Sequence, residues 1–377
     1  MKITAVHVDT LELVMKDPFV IASSAMAYGP CDLVRVETDE GVTGIGEACP
    51  AYEFTGETLW SVEDVIGEYL GPAVIGRDPF DIEAIHHVWD RDLYTVGNQA
   101  ARGALEMALW DVQGKALGRP LHDLIGGRMR DGLEEVITFG WDAPESLAEK
   151  TRALAAEGIN SFKIKVGDAP ERDEQRVAAV REAAGPRARV AVDANQGWWD
   201  AKTAVRAIKL LERHRIEFVE QPVRMDDLEA ARFVRERVDV PIALDESVRG
   251  PREALACAKA GACDMFVVKL MKTGGILGAL KVNAIAEAAG ITVMMGNMGE
   301  SSIALAAHFH LGVALANAVH CDADLPWRPG GMTHDIGSGL KQEVVDGVSR
   351  VDVSDAPGLG IELVEEHAVL QRVERSW

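Results

Sequence analysis

Hydrophobic and polar positions alternate with period two in the first part of the chain. The stretches "ITAVHVDTLEL" and "DLVRVETDEGVTGIGEACP" follow this pattern, which predicts strands. The second stretch predicts a hairpin that turns at residues 39–41, "DEG". Apolar residues at the spacing of one helix face follow, for example in "GALEMALWDVQGKAL". We therefore expect an N-terminal α+β domain over residues 1–127.

From residue 136 the pattern changes to short apolar strands that alternate with helices. Eight candidate strands lie at 136–140, 161–167, 189–195, 216–222, 241–247, 265–271, 291–297 and 316–324. Strands of this kind pair in parallel through crossover helices, and eight of them favour a closed barrel. We predict an α/β fold with a (β/α)7β TIM-like barrel over residues 128–328. Segment 329–377 breaks the repeat, so we expect it to return to the N-terminal domain and complete it as a cap.

Two lysines stand one residue apart in the second of these strands, within "FKIKVG". Alternation puts Lys163 and Lys165 on one face and their apolar neighbours on the other. Lysine is among the residues least often buried. A lysine pair on an apolar strand therefore indicates a functional surface rather than packing, although a lysine that reaches solvent from the strand end is the plainer alternative for Lys163.

A charged residue stands near the end of each of five consecutive predicted strands. These residues are Lys165, Asp193, Glu220, Asp245 and Lys269, at successive spacings of 28, 27, 25 and 24 residues. Each spacing matches one strand-plus-helix unit, and barrel sites gather at the C-terminal ends of the strands. A helix cap would explain any single one of them. Five in register favour one shared site at the barrel mouth.

Three carboxylates without a matching His or Cys are typical of a hard cation. Mg²⁺ prefers oxygen ligands in octahedral geometry, and Mn²⁺ could replace it. A lysine beside a divalent cation and a second ammonium group should have a lowered pKa and could serve as a base. A metal-bound carboxylate acidifies the adjacent C–H bond because the cation stabilises the enediolate. Two lysines on opposite faces would invert that carbon, whereas one acting alone would give elimination or cycloisomerisation.

These residues resemble the enolase superfamily, specifically its muconate-lactonizing-enzyme subgroup. The motifs that carry the resemblance are "KIK" at 163–165, "DAN" at 193–195, "EQP" at 220–222, "DES" at 245–247, "VKLMKTGG" at 268–275 and "DEGVTGIGEA" in the first domain. The resemblance implies that Asp193, Glu220 and Asp245 bind Mg²⁺, with Asn195 supporting these ligands. It further implies an acid/base pair and a closing loop in the capping domain.

By the same resemblance, Lys165 and Lys269 are the acid/base pair, and Lys163 assists them and contacts substrate. The His-Asp arrangement of mandelate-racemase-like members is missing, because Asn297 follows the seventh strand where a catalytic His would be sought. The closing loop would correspond to "IASSAMAYG" at 21–29. Such a lid would exclude water from the site.

The eighth strand ends in "HCDADLPW", which puts Asp322 and Asp324 on one face. Two acids at the barrel mouth could neutralise a substrate ammonium group. The dipeptide epimerases of the family look similar here, and Thr138, Asn297 and Met298 fall where such enzymes contact substrate. The plainer alternative is an acidic turn before a proline.

The most favoured function is a Mg²⁺-dependent racemase or epimerase that abstracts and returns the proton alpha to a carboxylate through an enediolate. The substrate would be a dipeptide or other amino-acid derivative. Alternatives are a muconate-type cycloisomerase, an enzyme similar to N-succinylamino acid racemase or o-succinylbenzoate synthase, and a proline-betaine-type epimerase or dehydratase. An inactive metal-binding barrel is the alternative that is not an enzyme.

Composition narrows the possible partners. The formal net charge of -21 argues against nucleic acid and anionic membranes. No apolar run approaches the roughly 20 residues that span a bilayer, and the N-terminus lacks a signal-peptide core. The odd count of five cysteines, without C-x-x-C spacing, favours reduced thiols. We expect a cytoplasmic protein that takes a small-molecule carboxylate, and the resemblance implies a homo-oligomer.

Overall fold

The computed structural model of the protein describes residues 1–22, 24–93 and 97–374. Ser23, in the predicted closing loop, lies outside the described residues. The chain begins with a three-stranded antiparallel sheet formed by β1 (Ile3–Val20), β2 (Ala25–Thr38) and β3 (Thr43–Ala48). Gly41, between β2 and β3, has a φ of 77°, which glycine adopts without steric cost. The predicted hairpin is confirmed.

Helices follow the sheet and pack against it. They are α1 (Tyr52–Thr55), α2 (Leu59–Val65), α3 (Gly71–Val74), α4 (Ile82–His87), α5 (Gln99–Leu117) and α6 (Leu121–Leu124), with π-helical turns at Ile66–Leu70 and Val88–Asp92. Helix α5 is buried along most of its length and lies directly on β3. A Cβ on Gly46 of β3 would lie 2.1 Å from the carbonyl oxygen of Ala104. Glycine in β3 is therefore required for this close contact.

The middle of the chain forms one sheet of eight strands. The short strand β4 (Leu133–Glu134) precedes it, and its members are β5 (Val136–Phe139), β6 (Ser161–Lys165), β7 (Arg189–Asp193), β8 (Val219–Glu220), β9 (Ile242–Leu244), β10 (Met265–Val268), β11 (Thr292–Met295) and β12 (Ala318–Cys321). Each strand pairs in parallel with the next, in the order β5 to β12. The predicted barrel class is confirmed.

Helices link consecutive barrel strands. They are α7 (Pro144–Ala156), α8 (Pro170–Ala184), α9 (Ala201–Leu211) with a 3₁₀ turn at Glu212–His214, α10 (Leu228–Arg235), α11 (Pro251–Ala260), α12 (Leu270–Thr273), α13 (Ile276–Ala289) and α14 (Ser302–Ala314). Strands covered by helices outside and packed inside read as continuous apolar runs. Phe218, Met265, Val267 and Met294 belong to a separate cluster of buried apolar residues that lie in the barrel strands or directly before one.

The C-terminal part contains β13 (Gly337–Ser338), β14 (Lys341–Val345), β15 (Val348–Asp352), β16 (Glu362–Leu363) and α15 (Glu365–Gln371). Part of it reaches β1, since Met332 bridges to Met15 and Arg372 bridges to Leu11. Strand β15 instead pairs with β4 beside the barrel. The division of the chain at residues 127 and 328 stays a prediction.

Within the described ranges, no helix combines the length and the apolar character needed to cross a membrane.

Candidate active site

Two of the predicted lysines lie on opposite sides of the barrel. Lys165 ends β6 and Lys269 directly follows β10. Four strand positions separate β6 from β10 in the order of the sheet, which is half of an eight-stranded ring. Only 8% of Lys165 and 6% of Lys269 is exposed, and both line one cavity of about 130 Å³. The two ammonium groups can therefore face the same small molecule from opposite directions.

The three predicted carboxylates come from the strands between these lysines. Asp193 ends β7, Glu220 ends β8 and Asp245 follows β9, and all three side chains are fully buried. Each is paired with a lysine. Lys165 Nζ lies 2.6 Å from Asp193 Oδ2, and Lys269 Nζ lies 2.7 Å from Asp245 Oδ2. The structure thus brings together the charged residues that the strand register singled out.

Lys163 provides the third of these pairs. Its Nζ lies 3.1 Å from Glu220 Oε2 and 2.5 Å from Asp322 Oδ2, and only 3% of the residue is exposed. Burial opposes the ammonium form, but the two carboxylates outweigh this effect and raise the pKa of Lys163 well above its usual value. Lys163 is therefore a fixed positive charge inside the barrel and not a lysine that reaches solvent.

The carboxylates suit a hard cation in chemistry, although not in their present arrangement. Among the described residues, no group of three or more His, Cys, Asp or Glu side chains is placed to hold a metal ion. Each of these lysine pairs occupies one oxygen of its carboxylate. The donor atoms of this set are nevertheless all oxygens, which Mg²⁺ prefers. Two buried oxygens, Glu220 Oε1 and Asn195 Oδ1, have no hydrogen-bond partner among the residues that the structure describes. An all-oxygen donor set of this kind fits Mg²⁺ in its chemistry.

The charges of this cluster shift one another's pKa values. Burial raises the pKa of Glu220 well above its usual range, and the Asp193 carboxylate raises it further. Burial acts in the same sense on Asp245, but Lys269 and Lys272 outweigh it and hold the pKa of Asp245 below its usual value. Burial lowers the pKa of Lys269, yet Asp245 and Glu220 raise it overall. The expected lowering of a lysine pKa is thus not met while Lys269 is paired with Asp245.

Asp322 and Asp324 lie at the same mouth, and each already has a partner. Asp322 pairs with Lys163 through Oδ2, while its buried Oδ1 has no hydrogen-bond partner among the described residues. Asp324 accepts hydrogen bonds from Thr138 N at 2.7 Å and from Thr138 Oγ1 at 2.6 Å. Both contacts join the segment that follows β12 to β5. Burial and the neighbouring Asp322 raise the pKa of Asp324 to about 6.

The remaining predicted residues also surround the cavity. Asn297 donates from Nδ2 to the Asp322 carbonyl at 3.0 Å, and Met298 lines the cavity beside it. Asn195 lines the cavity too, donates from Nδ2 toward Glu246 Oε1 at 3.4 Å and has a φ of 40°, which is uncommon outside glycine. All six predicted substrate-binding side chains line this one cavity: Thr138, Lys163, Asn297, Met298, Asp322 and Asp324.

A second buried lysine near Asp245 escaped the sequence analysis. Lys272 on α12 donates from Nζ to the Asp245 carbonyl at 2.5 Å and to the Val267 carbonyl at 3.1 Å, and it also contacts Asp245 Oδ1. Its side chain is fully buried, and burial lowers its pKa. Lys272 fixes one oxygen of Asp245, which leaves the other toward Lys269. The sequence signal for Lys272 was its position three residues after Lys269, within the otherwise apolar stretch "VKLMK".

Gln221, next to Glu220, is a second site residue that the sequence analysis missed. Its Nε2 donates to the Val223 carbonyl at 3.0 Å and to Ser247 Oγ at 2.9 Å. Its Oε1 accepts from Asp245 N at 3.0 Å and from Ser247 N at 3.2 Å. Two donors and two acceptor positions are all that an amide side chain offers. Gln221 therefore ties the end of β8 to the backbone that carries Asp245.

Glu47 of β3 connects the N-terminal domain to the barrel. Its carboxylate accepts from Ser301 N at 2.9 Å, from Ser301 Oγ at 2.5 Å and from Ala304 N at 3.0 Å. A carboxylate is favoured at the N-terminus of a helix, here α14. Burial nevertheless raises the pKa of Glu47 to about 7. The sequence signal was a lone acid in the apolar "GIGEA".

Opposed lysines around three barrel carboxylates, under an α+β cap, define an enolase-type enzyme. Residues 2–126 match the family described as mandelate racemase / muconate lactonizing enzyme, N-terminal domain, and residues 146–367 match the enolase C-terminal domain-like family. The chain belongs to the enolase superfamily, in its muconate-lactonizing-enzyme subgroup.

Characterised relatives are similar along nearly the whole chain. The N-succinyl-L-Arg/Lys racemase of Bacillus cereus is 37% identical over 97% of this chain and 96% of its own. A dipeptide epimerase from Enterococcus faecalis, solved with Mg and the dipeptide L-Leu-L-Tyr, is 38% identical with a TM-score of 0.89 over 96% of this chain and 100% of its own. The chloromuconate cycloisomerase of Pseudomonas putida is 32% identical over 96% of this chain and 97% of its own. The prediction of an isomerase of the racemase or epimerase type is confirmed.

Proposed function

We propose that the chain is a Mg²⁺-dependent epimerase that removes and returns the proton alpha to the carboxylate of a dipeptide or other amino-acid derivative. The observation that carries this proposal is the placement of Lys165 and Lys269 half a barrel apart, facing one cavity. A carbon held between two bases can lose its proton to one and regain it from the other, which inverts the centre.

Asp193, Glu220 and Asp245 would hold the cation. When bound, Mg²⁺ supplies Lewis-acid stabilisation of the negative charge that develops on the substrate carboxylate. The chain's own residues do the rest. Lys165 and Lys269 exchange their carboxylate partners for the substrate, and each can then hold or release a proton at Nζ. Lys163 keeps its charge and attracts the substrate carboxylate.

The eighth strand supports a substrate with an ammonium group. Asp322 Oδ1 is buried without a hydrogen-bond partner within the described ranges, and such an oxygen seeks a donor. A dipeptide N-terminus would supply one. The relative from Enterococcus faecalis binds a dipeptide, which supports the same class of substrate. Replacement of Mg²⁺ by Mn²⁺ and assembly into a homo-oligomer stay predictions.

The experiment is solvent-deuterium exchange at Cα, followed by NMR in D₂O with Mg²⁺, across dipeptides and N-acyl amino acids. The proposal expects exchange together with epimerisation in at least one member. A folded, Mg²⁺-loaded protein that exchanges no member of either set would rule this substrate class out. Cycloisomerisation needs only one base, so Lys165→Ala and Lys269→Ala should differ strongly if the chain is a cycloisomerase.

A further inference from the structure

We propose that this site selects substrates whose side chains are apolar and uncharged. The inference rests on the proposed function, since it concerns which amino-acid derivative fits between Lys165 and Lys269. It follows from two features of the cavity: the composition of its capping wall, and the pairing of each charged group along its lining.

The wall that the N-terminal domain contributes is apolar. It includes Met15, Phe19, Ile21, Met26 and Phe54, and Met298 continues it from the barrel. Phe54 also presents its ring to Lys269, whose Nζ lies 5.4 Å from the ring centroid. Methionine side chains are flexible and polarizable and adapt to differently shaped apolar partners. This wall therefore suits several apolar side chains rather than one.

The charged groups beyond the reacting centre are occupied. Arg328 donates to Glu135 Oε2 at 2.9 Å and to Glu157 Oε2 at 2.6 Å. Glu300 contacts His308 Nε2 at 3.2 Å and accepts from Met298 N. Within the described residues, the cavity lining thus presents no arginine or glutamate that is free to meet a charged substrate side chain.

The charged groups of the reacting centre are occupied as well. Asp324 is held by Thr138, Lys163 is paired with Glu220, and Lys165 and Lys269 serve the reacting carbon itself. Asp322 Oδ1, which has no hydrogen-bond partner among the described residues, lies beside Lys163 at the barrel mouth and suits the substrate's own ammonium group. A second charge on the substrate would be buried against methionine and phenylalanine without a partner, which is strongly unfavourable.

The test compares dipeptides of similar shape and different charge. L-Ala-L-Met and L-Ala-L-Leu are compared with L-Ala-L-Glu and L-Ala-L-Lys, with L-Ala-L-Gln as the uncharged match for the glutamate. We expect kcat/KM for Cα exchange to be at least about 100-fold higher for the methionine dipeptide than for either charged one, with the glutamine dipeptide between them. The same order is expected when the first residue is varied instead.

A variant pair checks the role of the wall. Met26→Lys places a counter-charge there and should raise kcat/KM for the glutamate dipeptide at least about 10-fold relative to wild type. Met26→Leu keeps the wall apolar and should keep the wild-type order of substrates. Met15→Lys serves as the second site if the first variant does not fold.

The outcomes separate the two proposals. Charged and methionine dipeptides that react within about 10-fold of each other would overturn the apolar selectivity and leave epimerisation standing. A kcat/KM for the glutamate dipeptide that neither lysine variant raises above the wild-type value would overturn the role of the wall. Exchange in no dipeptide and no N-acyl amino acid would remove the proposed function, and this inference would fall with it.

Discussion

Replacing Gln221 by Met should destabilise the protein by about 4 kcal/mol. Methionine has a similar length, so the change mainly removes hydrogen bonds rather than volume. Four groups lose their partner: the N–H groups of Asp245 and Ser247, the Val223 carbonyl and Ser247 Oγ. A buried polar group left without a partner costs about 1–3 kcal/mol. Ser247 Oγ still reaches the Met225 carbonyl, and local relaxation recovers part of the rest, which brings the sum to about 4 kcal/mol.

Equilibrium urea unfolding of both proteins measures this difference in the free energy of unfolding. Gln175→Met is the matched control, because Gln175 is exposed on α8 and its replacement should change stability by at most about 0.5 kcal/mol. A loss below about 1 kcal/mol for Gln221→Met would refute the reasoning that these contacts hold β8 against β9.

The same variant has a second consequence that calorimetric Mg²⁺ titration can check. Gln221 Oε1 accepts from the backbone N–H of Asp245 and so orients this proposed ligand. At a temperature below the start of its thermal unfolding, Gln221→Met should therefore bind Mg²⁺ more weakly than wild type does. It should also bind Mg²⁺ more weakly than the Gln175→Met control. Equal affinity in all three proteins would show that Asp245 does not depend on Gln221 for its orientation.

Three further predictions concern pH, the barrel seam and the cation. Burial raises the pKa of Glu47 from 4.5 to about 7, so the folded chain keeps that proton longer than the unfolded chain does. Wild-type stability relative to Glu47→Gln should then fall by about 3 kcal/mol as the pH rises from about 4.5 to 7, and a constant difference in urea unfolding would contradict this. Thr138→Val removes a donor that lowers the pKa of Asp324, so carboxyl NMR should find this pKa above about 6, and an unchanged titration would argue against the contact. Chelation by EDTA should abolish Cα exchange and added Mg²⁺ should restore it; exchange that survives chelation would remove the cation from the proposal.

The order of the barrel could be predicted from the sequence because its determinants are local. An apolar strand followed by a charged residue repeats at spacings of 24 to 28 residues, and parallel pairing then brings the charged ends to one rim. This register placed Lys165 and Lys269 correctly relative to Asp193, Glu220 and Asp245. No knowledge of long-range contacts was needed.

The partners of each charge could not be predicted in this way. Lys163 and Asp322 lie 159 residues apart, and only the closed barrel brings their side chains to 2.5 Å. The sequence analysis assigned Asp322 to a substrate ammonium group without this competing pair. Its prediction of a lowered lysine pKa rested on a cation and a second ammonium group, and it did not include the buried carboxylates that raise the pKa of Lys269.

Residues that position other residues were the hardest to recognise. Lys272 and Gln221 act on Asp245 through its backbone, and Glu47 acts on a helix end more than 250 residues away. Each stands inside a motif that was noticed for another residue. Their roles depend on where each side chain points, and this depends on the local backbone conformation. Gln221, for example, has a φ of 37°, which alternation of polar and apolar positions does not encode.

The central claim is that two lysines act on one carbon from opposite faces. The most direct measurement is Cα hydrogen–deuterium exchange of each separate epimer of a substrate by Lys165→Ala and by Lys269→Ala, both loaded with Mg²⁺. A two-base mechanism predicts that neither variant epimerises, and that each exchanges only one epimer, the opposite one in the two variants. Epimerisation that survives in either variant, or exchange of the same epimer in both, would contradict it.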